Sequence, residues 1–449
     1  MALVIDSCRP LKMNKIFERL NVVMVLFSLL WSNVTLSQES VDNSLLKYSV
    51  KSVDVFSKIM QQHTEGADAY AQVMAVNQSL NPDHIAVNQI LYFPRSVLKK
   101  IATEASISYV NCKLALSLNG QNKMDLGMGS LLHQDDTVTI PPGCQLDLTF
   151  DDRSTIRLPS GGTFKITKLQ KNFLEASPEI QIEVQDGRVQ ASVTKRLQGD
   201  ATFEVKTPAS MTAVRGTEFR VGYQASTGTS QTEVSSGVVS ARGLEDTAAA
   251  NVSNQQGVAI SPTGHAGNVE DLPSPPLFVE AQNQQVDDWV FLLFQGQAGS
   301  DHYHLRQFKA INALEPLVDE ALPKPTYLMT NLSQKAIFFE WTALTRSNLQ
   351  GDSKLYGVCR LTQVDDEQRC HVKFDLNNLK NVHLKLELLK GANEVKEIFD
   401  GEDISSSYIL IKGLPPGMYR WNINYDINQG KNITKSGEFE LIAIKTAVI

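Results

Sequence analysis

Apolar and polar positions along this chain follow three successive patterns. An unbroken apolar run, Val22-Val23-Met24-Val25-Leu26-Phe27, continues past Ser28 through Leu29, Leu30 and Trp31. Next comes a short region of mixed period. Tyr48-Ser49-Val50 alternates as a strand does, and Val55, Phe56, Ile59 and Met60 recur at helical spacing. A second helix is expected over about Tyr70–Asn77, broken by Asn81-Pro82, and Ile90-Leu91-Tyr92-Phe93 reads as a closing strand stopped by Pro94. Beyond about Thr103 the period is two almost throughout. Ile182 and Val184 lead into Asp186-Gly187 and out to Val189, Ala191 and Val193, which predicts a hairpin. Further strands are expected over Gln145–Phe150, Thr155–Leu158, Thr202–Lys206 and Thr217–Tyr223.

Residues 244–276, rich in Ala, Asn, Gln, Gly, Ser and Pro, read as a linker ending in Pro273-Ser274-Pro275-Pro276. After it, Tyr303-His304-Leu305-Arg306 and Phe338-Phe339-Glu340-Trp341 are candidate strands. Val382, Leu384, Leu386 and Leu388 share one strand face. Tyr419, Trp421, Ile423 and Tyr425 share another, behind the turn Pro415-Pro416-Gly417. The expected fold is mainly β: a small α/β domain at 44–95, an all-β domain at 103–243, the linker, and β-sandwich modules at 277–356 and 357–446.

Length and charge limit the functional classes. At roughly 150 residues per domain, the 449 residues suffice for several cores. A formal charge of −7 argues against non-specific nucleic-acid binding, which needs basic surface. The apolar run at 22–31 is about half the length of a bilayer span. Lys12, Lys15 and Arg19 precede it, and Thr35 and Ser37 follow, so residues 1–37 read as a cleavable export signal. A periplasmic or cell-envelope location follows, with membrane association only through an uncleaved signal.

Export gives the cysteines a meaning. Cys8 lies within the signal, and Cys112, Cys144, Cys359 and Cys370 make an even set in an oxidising compartment. Cys359 and Cys370 flank Asp365-Asp366-Glu367, which suggests a hairpin stapled across its strands and leaves Cys112 with Cys144. Four cysteines allow three connectivities.

Two stretches resemble known families. Tyr48, Val50, Asp54, Ile59, Asn77, Gln89, Leu91 and Pro94 fit the LysM pattern of peptidoglycan- and chitin-binding modules. Val53, Val55 and Asn88 stand where that family has Gly, Thr and Gly. The resemblance implies a sugar groove between Val53-Asp54-Val55 and Pro82-Asp83-His84-Ile85, with peptidoglycan as the partner. Residues 103–243 resemble the periplasmic FecR domain. The resemblance rests on Gly129-Ser130-Leu131-Leu132 with Asp135-Asp136, on Asp186-Gly187-Arg188-Val189, and on Thr207-Pro208. Its longest part is Ala213-Val214-Arg215-Gly216-Thr217-Glu218-Phe219-Arg220-Val221, followed by Thr232-Glu233-Val234. Within that part Arg215, Gly216, Thr217, Glu218 and Phe219 read as a fold signature. The C-terminal blocks resemble fibronectin-type or immunoglobulin-like modules in pattern only.

His302 and His304 share a strand face, but no carboxylate at suitable spacing completes a metal set. No nucleophile or phosphate-loop motif is present, and neither enzymatic activity nor a cofactor is expected. The sequence therefore points to a non-catalytic envelope scaffold or binding protein, tethered to peptidoglycan and presenting its FecR-type domain to a protein partner. The alternatives are a FecR-like sensor or an accessory of a cell-wall hydrolase. In iron uptake, FecR proteins couple an outer-membrane receptor to a cytoplasmic sigma factor, which requires a cytoplasmic domain that the roughly twenty residues before the apolar run do not supply.

Overall fold

The computed structural model describes residues 45–445 apart from 113, 119–120, 160, 176, 196–201, 215, 280–284, 287–288, 314–315, 331–332, 334, 362–369, 377–378, 392–393, 405 and 428–430. The expected export signal, Cys8, Arg215 and the expected turn at Asp365–Glu367 lie outside these residues. The fold is mainly β, with helices at Phe56–His63 and Ala69–Val76 among the described residues. Neither helix is long and apolar enough to cross a membrane.

The N-terminal unit runs strand–helix–helix–strand. Leu45–Ser49 pairs antiparallel with Ile90–Pro94, placing Ser49 opposite Ile90. Phe56, Ile59 and Met60 turn inward from the first helix and Val73 from the second, onto Leu91 and Phe93. Val97 and Leu98 extend this core beyond Pro94. Asn77 closes the second helix and stitches it to the sheet. Its Nδ2 donates to the Val73 and Tyr92 carbonyls at 2.7 Å, and its Oδ1 accepts from Tyr92 N at 2.8 Å. Asn88 takes the left-handed conformation (φ 67°) that glycine or asparagine adopts at least cost.

The strands between Ile101 and Asp271 close into one barrel. Phe150, Phe203 and Phe219 meet edge to face at 6.1 and 6.3 Å in its core. Three expectations change here. First, Asp186-Gly187 makes no hairpin: Glu179–Ser192 is one strand passing straight through it. Residues 179–187 pair with 162–170, and residues 187–192 pair with 218–223. Gly187 is needed for close approach, because a Cβ there would lie 2.7 Å from the Gly161 carbonyl oxygen. Second, the supposed linker at 244–276 supplies barrel strands Ala250–Ser253, Gln256–Ile260 and Ala266–Asp271. Val252, Val258 and Ile260 point inward to the barrel core, whereas Leu244 and Val269 stay exposed. The barrel therefore runs well past Gly243. Third, Leu272, Pro273 and Pro276 are themselves buried, and the Pro276 carbonyl accepts from Tyr356 Oη at 2.8 Å.

The C-terminal half is not two sandwiches in series. One eight-stranded sheet spans both blocks, and the expected boundary at 356/357 falls inside strand Gln350–Leu361. That strand pairs antiparallel with Ile337–Leu344 and parallel with Lys431–Lys445. Both faces of the sheet are buried at its central strands. Phe338, Phe439 and Leu441 look into one core; Phe339, Trp341, Ile442 and Ile444 look into the other. Strand Trp289–Gln295 and its neighbours cover one face, and the pair Cys370–Asp375 with Tyr408–Leu414 covers the other. The two apolar strand faces visible in the sequence zip together, with Leu384 opposite Ile423, Leu386 opposite Trp421 and Leu388 opposite Tyr419.

Two disulfides form, Cys112–Cys144 and Cys359–Cys370. The second is not a staple across one hairpin. Cys359 belongs to the eight-stranded sheet and Cys370 to the covering pair, so the bond joins two layers. Disulfides of this kind persist in oxidising, exported compartments.

Candidate functional site

The two loops that would frame a sugar groove leave the same end of the N-terminal two-stranded sheet. Val50 N donates to the Gln89 carbonyl at 2.9 Å, and Asn88 N donates to the Val50 carbonyl at 2.8 Å. The first loop is held by Asp54, whose Oδ2 accepts from Tyr48 Oη at 2.5 Å and Lys51 N at 2.7 Å. The tyrosine bond, then the Lys51 amide, keeps the carboxyl below its ordinary range. Burial and the facing Asp54 push the Tyr48 hydroxyl up to about 12. Asp54 is thereby committed to loop shape. Val53 is 85% exposed, and Val55, Val87 and Ile90 are also open to solvent. In the second loop, Pro82 and Asp83 sit in a turn closed by His84 N donating to the Asn81 carbonyl at 3.1 Å, and Ile85 is half-buried.

This unit does not swing free. Phe173, on a barrel loop, stacks on His63 at 3.6 Å and meets Tyr48 and Phe93 at 5.7 and 6.2 Å. Beside it, Arg95 Nη2 pairs with the buried Glu175 at 2.8 Å.

The signature around 215 divides by role. Gly216 (φ 75°) makes a corner against Lys195, whose Cα would lie 2.6 Å from an added Cβ. Thr217 is buried, and its carbonyl accepts from Val193 N at 2.9 Å. Phe219 enters the core, whereas Glu218 stays exposed. The next residue, Arg220, was not among the expected site residues, yet it holds the C-terminal module. Fully buried Glu233 accepts from Arg188 through both oxygens at 3.1 and 3.2 Å and from Arg220 Nε at 3.2 Å. The module supplies the remaining partners. Gln350 N donates to Glu233 at 2.9 Å, and Arg220 donates to the Gln350 and Gly351 carbonyls at 2.5 and 3.1 Å. Asp352 accepts from Ser235 and Gln255 at 3.0 and 2.8 Å. The sequence signal was the presence of Arg188, Arg220 and Glu233 within the family pattern, but their common partner lies over a hundred residues away.

A second junction of barrel and module is a cleft. Asp147 accepts from Gln145 at 2.5 Å, from Arg157 Nε at 3.3 Å and from Lys435 Nζ at 3.1 Å. Cavities of about 470 and 340 Å³ lie on either side, both lined by Arg157 and Lys435. None of these three residues was singled out in the sequence: Asp147 and Arg157 face each other across adjacent strands, but Lys435 lies in a strand nearly three hundred residues away. His302 and His304 each face a carboxylate of their own, Asp301 at 3.5 Å and Asp319 at 2.5 Å.

No curated protein matches the chain. A protein of Parabacteroides distasonis ATCC 8503, provisionally described as an anti-sigma factor, aligns through two crystal structures at 16% and 17% identity, with TM-scores of 0.26 and 0.25. Each alignment covers 30% of this chain and 59% of that one. A tetra-tandem repeat from the extending region of a large adhesion protein aligns at 11% identity with a TM-score of 0.14, covering 76% of this chain and 92% of the other. Residues 136–240, inside the barrel, match the model of the FecR protein family. The barrel therefore carries a FecR domain.

Proposed function

We propose that the protein is a non-catalytic cell-envelope binding protein that attaches to peptidoglycan through its N-terminal unit and presents its FecR domain to a protein partner. The observation that carries this reading is the pair of loops at one end of the small sheet. Their backbones are fixed from inside by Tyr48, Asp54 and Asn88, while Val53, Val55 and Val87 face solvent. A pre-shaped rim with exposed apolar side chains suits the apolar faces of sugar rings, and its backbone amides and carbonyls suit N-acetyl groups. A single module of this size binds weakly, so attachment is reversible.

Co-sedimentation with purified insoluble peptidoglycan tests the reading, comparing the unaltered protein with a Val53→Asp, Val87→Asp variant. The unaltered protein pellets and releases no soluble muropeptides, and the variant stays in the supernatant. Equal pelleting of both removes the tether; release of muropeptides replaces a binder with a hydrolase. A second reading, an envelope sensor of the FecR type, is favoured by the family match over residues 136–240. Both readings place the FecR domain at a protein partner, and they differ in whether occupancy is transmitted.

A further inference from the structure

The larger cavity of the cleft between barrel and module is lined by more cations than carboxylates. One carboxylate, Asp147, serves two cations, Arg157 and Lys435. Lys435 is only 18% exposed and lies 3.4 Å from the centre of the Tyr109 ring. Burial of its ammonium, partly offset by Asp147, lowers it to about 8. Arg157 is 44% exposed, at the open side of the group. A buried pair kept for stability alone needs one cation for each carboxylate, and a surplus buried charge is costly.

The surplus is concentrated at the larger cavity. Arg153, Arg157 and Lys435 face it, against Asp147 and Glu218. The smaller cavity adds Glu340 and Asp375 to Arg157 and Lys435 and has no such excess. Hydroxyls of Thr149, Thr155, Ser192 and Thr434 line the larger cavity. Its volume of about 470 Å³ lies within the range of small-molecule sites, about 300–1,000 Å³.

We infer that this cleft is a binding site for a carboxylate-bearing saccharide, whose acid group meets Arg157 and Lys435 and whose hydroxyls meet the threonine- and serine-lined wall. One surplus cation matches a monoanion better than a phosphate dianion. A wall of hydroxyls matches a polyol better than an apolar acid. The paired guanidinium and ammonium give the carboxylate charge-assisted hydrogen bonds in a partly dry setting. The barrel contributes one wall and strand Lys431–Lys445 the other, so a bound ligand would touch both bodies. The site is separate from the N-terminal loops and does not depend on their binding peptidoglycan.

Titration of the whole protein with sodium glucuronate at constant ionic strength, followed by ligand-observed NMR, tests the inference. Glucose and inorganic phosphate are titrated in parallel. Saturable glucuronate binding is expected, with Lys435→Met weakening it about tenfold through loss of one charge-assisted bond. Arg153→Asn keeps a residue that tolerates the positive φ of that exposed turn, and weakens binding about threefold. Val53→Asp leaves it unchanged, which separates this site from the N-terminal unit. Absence of saturable glucuronate binding overturns the inference. So does phosphate binding as tightly as glucuronate, which means a bare anion site, or glucose doing so, which means the charge is irrelevant. Unchanged affinity in Arg153→Asn overturns it too, and stands as the deciding result if Lys435→Met does not fold.

Discussion

The FecR-containing barrel is joined to its neighbours in two contrasting ways. On one side the N-terminal unit is held by an aromatic plug, Phe173 set among His63, Tyr48 and Phe93, with one ion pair beside it. On the other side the C-terminal module is held by a buried charge network, where Glu233 is shared by two arginines and a backbone amide from across the junction. An aromatic plug is indifferent to small rotations and is lost gradually. A buried network tolerates few geometries, because each unsatisfied member carries its full desolvation cost. The barrel and module therefore behave as one body, and the N-terminal unit as an attachment that can come away without unfolding the rest.

This contrast breaks most directly at Glu233. Glu233→Ala strands Arg188 and Arg220 in the junction and is expected to cost about 3–5 kcal/mol, the range for removing one partner of a buried pair. Chemical denaturation measures it, and a cost near that of a surface substitution would show that the junction is solvated. The module side is sharpened by its staple between layers. Cys359→Ser with Cys370→Ser is expected to remove about 3 kcal/mol, read from the same denaturation curves.

On the plug side, Phe173→Ala is expected to cost about 2 kcal/mol of apolar burial. The signature is selective: limited proteolysis near Lys99-Lys100 accelerates while the barrel and module stay resistant. Cleavage spread evenly over the chain would contradict a detachable unit. The smallest effect is on pH. Burial, then the nearby Lys99 ammonium, holds the His63 imidazole below its ordinary 6.5. A depressed folded value means that the unfolded chain takes up the proton first. The associated stability is thus complete above 6.5 and is lost as pH falls through the folded value. His63→Gln should flatten this acid-side loss in a melting series from neutral to mildly acidic pH, and an unchanged slope would assign it to other groups.

Local patterns were legible where a residue's partners lie nearby. Phe56, Ile59 and Met60 predicted a buried helix face, and Leu384 and Leu386 predicted a strand that Trp421 and Ile423 complete. The Asp186-Gly187 signal misled because a turn-forming pair serves equally well where a long strand changes partner. The false linker arose because polar composition hid three correctly placed apolar residues. The junctions left no trace: Glu233 and Gln350, or Asp147 and Lys435, meet only after the whole topology is in place, and no period in the sequence encodes that meeting. Asn88 is the opposite case. Its suitability for a left-handed backbone was legible from residue type alone, and it adopts one.

Strand Lys431–Lys445 lies inside the eight-stranded sheet, parallel to Gln350–Leu361 on one side and antiparallel to Gly417–Ile427 on the other. It is also the last of the eight in chain order. A chain that emerges from its N-terminal end delivers the other seven strands first, in two groups that no ladder among the described residues connects until this strand arrives. Until then the Gln350–Leu361 side stands as an open edge, the kind of surface that recruits stray strands from neighbouring molecules. Assembly of the module is therefore timed by delivery of this strand, and a stall before it arrives leaves an aggregation-prone half-sheet.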